Sequence, residues 1–122
     1  MNIAIFDSGI GGLSVLYQAK RMLPEAHFLY YADEDHVPYG EKTREQILTY
    51  TDEAVRFLID RGADAIVLEC NTATSVAAAT LRDRYPLPII GMEPAVQLAV
   101  KQDDTHRVLV AATPITIRGN KL

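Results

Sequence analysis

The single cysteine of the sequence, Cys70, stands where an apolar run gives way to a helical pattern. Residues 63–69 are typical of a buried strand, residues 74–81 are typical of a helix, and Cys70-Asn71-Thr72-Ala73 lies between them. A thiol at the first turn of a helix faces unpaired backbone N–H groups and the positive end of the helix dipole, which favour the thiolate. Cys70 is therefore a candidate nucleophile or proton carrier, and the alternative is a small side chain that only fills space in the core.

A second candidate is the glycine-rich loop Asp7-Ser8-Gly9-Ile10-Gly11-Gly12, which follows the apolar run at residues 3–6. It partly matches a dinucleotide-binding fingerprint, and Asp33 lies about twenty residues farther on, where a ribose-binding acid is expected. However, Ser14 occupies the third glycine position, and no Gly-Lys-Ser/Thr phosphate loop is present. A tight turn that needs glycine for a positive φ, or a loop that binds another ligand, fits these residues better.

The elements that must position these residues alternate along the whole chain. Strands are predicted at residues 3–6, 27–32, 63–69, 87–91 and 107–112. Helices are predicted at residues 12–23, from the capping pair Thr43 and Gln46 to residue 61, at 74–81, at 94–102 and from 114 to 122. Near-continuous apolar strands in this order predict an α/β fold, a parallel sheet with helices on both faces in a flavodoxin-like, doubly wound lobe.

In such a sheet, ligands bind beyond the carboxyl ends of the strands, and the polar residues of this sequence collect there. They follow all five predicted strands and are Asp7, Ser8, Asp33, Tyr39, Gly40, Asn71, Thr72, Glu93, Thr113 and Thr116. Small hydroxyls, an amide and helix N-termini suit a carboxylate or an amino acid zwitterion. The loop Asp33-Glu34-Asp35-His36 matches no common metal-ligand spacing and is predicted to be a solvated acidic loop.

Composition excludes several classes of protein. The 122 residues include 12 basic and 16 acidic side chains, for a formal charge of −4, which argues against a broad nucleic-acid surface. No apolar run has the length of a membrane span, and the N-terminal residues lack the pattern of a signal peptide. A single cysteine fits a reducing, cytoplasmic environment. We therefore expect no nucleic-acid partner and no membrane association.

Taken together, the motifs resemble the glutamate racemase family within the aspartate/glutamate racemase superfamily. The segments that carry the resemblance are Asp7-Ser8-Gly9-Ile10-Gly11-Gly12-Leu13-Ser14-Val15, Tyr31-Ala32-Asp33, Pro38-Tyr39-Gly40-Glu41-Lys42, Cys70-Asn71-Thr72-Ala73-Thr74, Gly91-Met92-Glu93-Pro94-Ala95 and Ala112-Thr113-Pro114-Ile115-Thr116. They span essentially the whole chain, and their order and distances make the combination far more specific than any one of them.

The resemblance implies an isomerase that interconverts L- and D-glutamate without a cofactor or a metal. One thiol removes the α-proton and another returns a proton to the opposite face, and Cys70 matches the thiol that the N-terminal half supplies. Asp7 matches the family acid near this thiol and the substrate amino group. The residues implied in substrate binding are Asp7, Ser8, Tyr39, Gly40, Asn71, Thr72 and Thr116, with Thr113 as a further candidate.

The family also implies a cellular role and leaves alternatives open. D-Glutamate made in this way feeds peptidoglycan precursors, which implies a bacterial cytoplasm, and a homodimer is compatible with the resemblance. The alternatives are a sister enzyme that acts on aspartate, hydantoins or malonate-type acids, and a non-catalytic lobe that binds carboxylates. The Pro38-Tyr39-Gly40 loop and the Asn71-Thr72 pair favour glutamate over the sister substrates.

Two features depart from the family pattern. Glu69 stands before the cysteine, where family members have a small residue. Alternation along a strand predicts that Glu69 points away from the face used by Cys70 and lies under a helix, where a carboxylate needs a partner or a raised pKa. Family members are also longer, and their second lobe supplies the other cysteine in a Gly-Cys-Thr-His-like segment that this sequence lacks. We therefore expect a fragment of a longer enzyme, or a truncated product with little activity alone, in which residues 1–96 form an N-terminal lobe and residues 97–122 the start of the second lobe or a connecting strand and helix.

Overall fold

The computed structural model describes residues 1–102, 104–105 and 107–119. Its strands are β1 (Asn2–Asp7), β2 (His27–Ala32), β3 (Ala65–Leu68) and β4 (Ile89–Gly91). Its helices are α1 (Leu13–Met22), α2 (Arg44–Asp60), α3 (Asn71–Arg84), α4 (Val96–Gln102) and α5 (Pro114–Arg118), and short 3-10 turns cover Glu34–His36 and Tyr39–Glu41. None of the helices in these residues is long and apolar enough to cross a membrane.

The four strands form one parallel sheet in the order β2-β1-β3-β4. Because crossover connections between parallel strands are right-handed, this order places α1 on one face and both α2 and α3 on the other. The contacts agree, since α2 and α3 pack against each other beside the sheet. The predicted parallel α/β architecture is therefore confirmed.

The main core lies between the sheet and the helices α2 and α3. Phe6 and Leu68, which are paired in register across β1 and β3, point into it and are fully buried. The predicted inner face of α2 is confirmed, because Ile47, Thr51, Ala54 and Leu58 are all buried. The helix begins as predicted at Thr43, whose hydroxyl accepts a hydrogen bond from the Gln46 backbone, while the Gln46 side chain accepts one from the Thr43 backbone.

The predicted fifth strand at residues 107–112 is wrong. This stretch forms no β-ladder within the described residues, and Leu109 is 99% exposed. Its apolar composition satisfies the pattern of a strand, but a strand also needs a neighbour whose backbone groups pair with its own. The predicted fifth helix runs into residues 120–122, which lie outside the described part of the chain, and α5 ends at Arg118.

Helix α3 begins three residues earlier than its predicted start at Thr74. Cys70 itself is the N-cap, with extended backbone angles (φ −64°, ψ 118°), and the Thr74 backbone N–H already donates to the Cys70 carbonyl. The Thr74 hydroxyl donates to the Leu68 carbonyl and accepts from the Met92 N–H. This side chain therefore ties the carboxyl ends of β3 and β4 to the helix that starts at the thiol.

The close packing of Gly91 against Thr74 leads to a prediction about stability. A Cβ atom placed on Gly91 would overlap Cγ2 of Thr74, so Gly91→Ala should destabilise the fold by about 1–3 kcal/mol through overpacking. Thr74→Ser removes that methyl group and keeps the hydroxyl, so the double variant should lose less stability than the two single losses added together. Urea unfolding of all four proteins measures this coupling, and strict additivity would contradict it.

Candidate functional site

The carboxyl ends of β1 and β3 open into a cavity of about 560 Å³. Its lining residues come from the sheet edge and α3 on one side, and from the stretches around α4 and before α5 on the other. They are Asp7, Glu69, Cys70, Asn71, Thr72, Pro94, Ala95, Val96, Ala99, Val108, Leu109, Val110, Ala111, Ala112, Thr113 and Thr116. The volume lies within the range of small-molecule sites. Five of the predicted site residues, Asp7, Cys70, Asn71, Thr72 and Thr116, therefore share one cavity.

Cys70 is buried at the inner end of this cavity. Its sulfur accepts a hydrogen bond from the backbone N–H of Ala73 at 3.4 Å, and the Ser8 hydroxyl also hydrogen-bonds to it. These donors favour the thiolate, but burial outweighs them and raises the pKa of the thiol, and the nearby charge of Asp7 raises it further. The sequence predicts that the helix terminus favours the thiolate, but the net effect of the surroundings is the opposite. In the absence of a ligand, Cys70 is therefore a neutral thiol at neutral pH.

The glycine loop binds both oxygens of the Asp7 side chain. Its Oδ1 accepts a hydrogen bond from the Ser8 N–H at 2.8 Å, and its Oδ2 accepts one from the Gly12 N–H at 2.9 Å. A nucleotide phosphate would need these same backbone N–H donors in the loop before α1. The Asp7 side chain therefore occupies the position that the phosphate would take. This arrangement disfavours the dinucleotide interpretation of the loop.

The glycines of this loop allow neighbouring side chains to pack closely against the backbone, and they do not adopt a positive φ. Gly12 has a φ of −65°, and a Cβ atom there would lie 2.9 Å from the Tyr30 hydroxyl and 3.1 Å from the Asp7 Cβ. The predicted turn with a positive φ is therefore wrong for this position. A positive φ of 89° occurs instead at Gly62, after α2.

Glu69 has both a partner and a raised pKa. It follows β3 and lines the same cavity as Cys70, and its carboxyl hydrogen-bonds to Asp7. Burial, the charge of Asp7 and that hydrogen bond raise the pKa of Glu69 to about 7. The sequence marked Glu69 as unusual, but its pairing with Asp7 became apparent only from the structure.

Three threonines connect the two sides of the cavity. The Thr113 hydroxyl lies 3.0 Å from the Thr72 hydroxyl and 3.0 Å from the Thr116 hydroxyl. Thr113 also caps α5, because its side chain accepts from the Thr116 N–H. Thr72 and Thr116 are both buried, so this chain of hydroxyls fixes the N-terminus of α5 against the start of α3.

Three predicted substrate contacts lie beside the cavity and do not line it. Ser8 contacts the Cys70 sulfur, as described above. Tyr39 is buried with its hydroxyl donating to Asp33 at 2.5 Å, and burial together with Asp33 raises the pKa of this phenol far above its usual value. Gly40 packs against Thr113, where an added Cβ would come within 2.9 Å of a methyl group. These residues support the lining residues in the present structure, and their contact with a substrate stays a prediction.

The acidic loop after β2 is structural. Asp33 is buried and accepts from both Tyr39 and His36, whose ring stacks on Tyr50. It is therefore not free to bind a ribose. Among the described residues, no group of three histidine, cysteine or acidic side chains is placed to hold a metal ion.

Sequence reasoning missed most of the apolar wall of the cavity. The apolar pattern predicts a strand over residues 107–112, whereas residues 108–112 line the cavity. The sequence predicts only a helix over residues 94–102 for the remaining members of this wall, which are Pro94, Ala95, Val96 and Ala99. The available signal was an apolar run that leads to the hydroxyl of Thr113, but this pattern does not distinguish a strand from the lining of a cavity.

A buried thiol beside a carboxylate, at the carboxyl edge of a parallel sheet, defines an α/β protein with a site suited to proton transfer. The family model for Asp/Glu/hydantoin racemases matches residues 14–120. The chain belongs to this family.

Individual relatives agree with the family assignment. The chain is 59% identical to a glutamate racemase of Lachnospira eligens over all of this chain and 47% of that protein. The structure of glutamate racemase from Aquifex pyrophilus superposes with a TM-score of 0.88 at 38% identity, over 97% of this chain and 47% of that one. An Escherichia coli glutamate racemase in complex with L-glutamate and the activator UDP-MurNAc-Ala matches with a TM-score of 0.81 at 33% identity, over 85% of this chain and 40% of that one. The chain spans about half the length of these relatives.

The ionisation of Cys70 is directly testable. Because burial raises its pKa, the rate of alkylation by iodoacetamide should reach half its maximum at a higher pH in the folded protein than in the same protein in urea. Ser8→Ala removes a hydrogen bond that favours the thiolate and should raise this midpoint further. A folded midpoint at or below the unfolded one would contradict the assignment.

Proposed function

We propose that the protein interconverts L- and D-glutamate without a cofactor, with Cys70 as one of two proton carriers. The observation that carries this proposal is the cavity that places the Cys70 thiol beside the Asp7 carboxylate. The support from relatives is that those at 59% and 38% identity are glutamate racemases and that the Escherichia coli enzyme binds L-glutamate. Membership of the Asp/Glu/hydantoin racemase family leaves aspartate and hydantoins as competing substrates.

The distribution of charge in the cavity suits an amino acid zwitterion. The Asp7 carboxylate attracts the ammonium group, which places the α-carbon near the sulfur of Cys70. The N-terminus of α3, which begins at Asn71, and the hydroxyls of Thr72 and Thr116 offer donors for carboxylates. In this orientation the side-chain carboxylate of glutamate lies toward the threonines.

Because its pKa is raised, Cys70 begins the reaction as a proton donor. As a neutral thiol, Cys70 holds the proton that it would return to the α-carbon, and the sulfur becomes a thiolate as the C–H bond forms. In the reverse direction the thiolate takes the α-proton. An ammonium group bound at Asp7 brings a positive charge near the sulfur, which lowers the pKa of the thiol toward the working pH.

Inversion needs a second proton carrier on the face of the α-carbon opposite Cys70. The sequence contains one cysteine, so in this proposal a second thiol comes from outside these 122 residues. Residues 1–96 would then form the N-terminal lobe, and residues 97–122 the start of the second lobe or the connection to it. The product D-glutamate would enter peptidoglycan precursors in the bacterial cytoplasm.

A second candidate function is a lobe that binds carboxylates without turnover. The observations that favour it are the single cysteine and its neutral resting state. This candidate predicts that glutamate binds but that its α-proton does not exchange with solvent.

The test is exchange of solvent deuterium into the α-position of L- and D-glutamate, followed by NMR. The racemase proposal predicts exchange that Cys70→Ser lowers by about 100- to 10,000-fold, the usual contribution of a general acid–base group. Gln18→Ala, which changes an exposed residue of α1, is the matched control and should leave the rate unchanged.

Parallel incubations with aspartate and hydantoins test the sister substrates. Faster exchange into aspartate or a hydantoin than into glutamate would overturn the choice of substrate. Binding of glutamate by calorimetry, without exchange into either enantiomer, would support the non-catalytic lobe instead.

A further inference from the structure

The strand pairing of the sheet forces two carboxyl groups together beside the thiol. Phe6 pairs with Leu68 across β1 and β3, and the Glu69 N–H donates to the Phe6 carbonyl at 2.8 Å. Asp7 and Glu69 are therefore the next neighbours on adjacent strands, which lie about 4.8 Å apart. Because Phe6 and Leu68 point to the core under α2 and α3, both acidic side chains project to the opposite face of the sheet.

We propose that Glu69 is a positioning residue whose carboxyl keeps a proton and donates it to the Asp7 carboxylate, so that the pair carries one negative charge beside Cys70. The inference rests on the proposed function, because Asp7 is the group that would meet the substrate ammonium. The proton transfer proposed for Cys70 and Asp7 does not itself require a second acid at this position.

The hydrogen bonds decide which carboxyl holds the proton. Each oxygen of Asp7 already accepts from a backbone N–H, of Ser8 or of Gly12, and such donors favour the ionised form. Two ionised carboxylates have no hydrogen to share, so a hydrogen bond between Asp7 and Glu69 requires a proton on one of them, and the backbone donors on Asp7 assign that proton to Glu69. The pKa of Glu69, raised to about 7 by burial and by Asp7, agrees with this assignment.

The other groups facing the pair do not offset a second negative charge. Cys70 is neutral, and burial and the charges of Asp7 and Glu69 raise the pKa of Tyr30 to about 12, so this phenol is neutral too. Glu34 is a further acid that acts on Tyr30. Among the described residues that line the cavity, none is lysine or arginine.

The shared proton has a consequence for the thiol. Below about pH 7 the pair carries one charge, which matches one ammonium group, and the donor from Glu69 holds Asp7 in place. Above this pH Glu69 ionises, its hydrogen bond to Asp7 is lost, and a second negative charge disfavours the Cys70 thiolate. Glu69 thus acts on the reaction through Asp7 and does not itself need to touch the substrate.

Carbon-13 NMR of the protein labelled at glutamate carboxyls tests the proton directly. We expect one glutamate to titrate near pH 7 and its signal to be missing in Glu69→Gln. Glu25→Gln, in the exposed turn between α1 and β2, is the control and should leave the signal near pH 7 in place. If no glutamate titrates above its ordinary range, the proposal is overturned.

Alkylation of Cys70 tests the effect on the thiol. Glu69→Gln keeps a donor for Asp7 but carries no charge, so at pH 8–9 the thiolate fraction should rise by roughly 3- to 10-fold, equivalent to half to one pKa unit. Glu25→Gln should match the unaltered protein. Superimposable pH profiles for the unaltered protein and Glu69→Gln would overturn the proposal.

Kinetics separate positioning from a general structural role. In the exchange assay below pH 7, Glu69→Gln should keep the KM for glutamate, whereas Glu69→Leu, which has no donor, should raise KM more than it lowers kcat. Equal KM values for the two variants would contradict positioning. If the unaltered protein shows no exchange, the proposed function fails, while the NMR and alkylation results still decide the state of Glu69.

Unfolding measurements give a further readout with a defined sign. The pKa of Glu69 is about 7 in the folded protein and 4.5 as a free side chain, so the folded state binds this proton more tightly. The associated stability is present below pH 4.5 and is lost as pH rises through 7. Glu69→Gln should therefore gain stability relative to the unaltered protein over this interval, and a constant difference would contradict the proposal.

Discussion

The parallel pairing of β1 with β3 is the constraint on which the rest of the site depends. It sets Asp7 and Glu69 side by side and ends two residues before Cys70, so that the thiol and both carboxyl groups line the same cavity. The residues of these strands that face α2 and α3 are fully buried, and a shift in register by one residue would expose them. The core therefore fixes the chemistry of the cavity as well as the stability of the lobe.

Burial and hydrogen bonding act against each other at this edge of the sheet. The backbone donors at Ser8 and Gly12 stabilise the charge of Asp7, whereas the donors near Cys70 are too weak to overcome the desolvation of its sulfur. The result is a carboxylate with two backbone donors next to two groups whose pKa values are raised. Neighbouring groups that differ in their affinity for a proton suit proton transfer, because donor and acceptor must not both be charged.

The local elements were predictable from the sequence because their signals are local. The capping pair Thr43 and Gln46, and the inner face of α2, depend only on spacing within one helix. The fifth strand failed because the strand pattern of residues 107–112 has no pairing neighbour in the described residues. The neutral state of Cys70 and the identity of the partner of Glu69 were also out of reach, since they depend on burial and on a neighbour more than sixty residues away in sequence. Motif resemblance located the cysteine, the acid and the threonines, but not the apolar wall that faces them.

The three threonine hydroxyls have a property that charged residues could not provide. Each hydroxyl both donates and accepts, and in the contacts of Thr113 with Thr72 and with Thr116 either oxygen can supply the hydrogen. The direction of the whole chain of hydrogen bonds can therefore reverse by rotation of O–H bonds alone, with no heavy atom displaced. The wall of the cavity can in this way present a donor to a carboxylate or an acceptor to a protonated group, and its polarity is set by whatever molecule arrives.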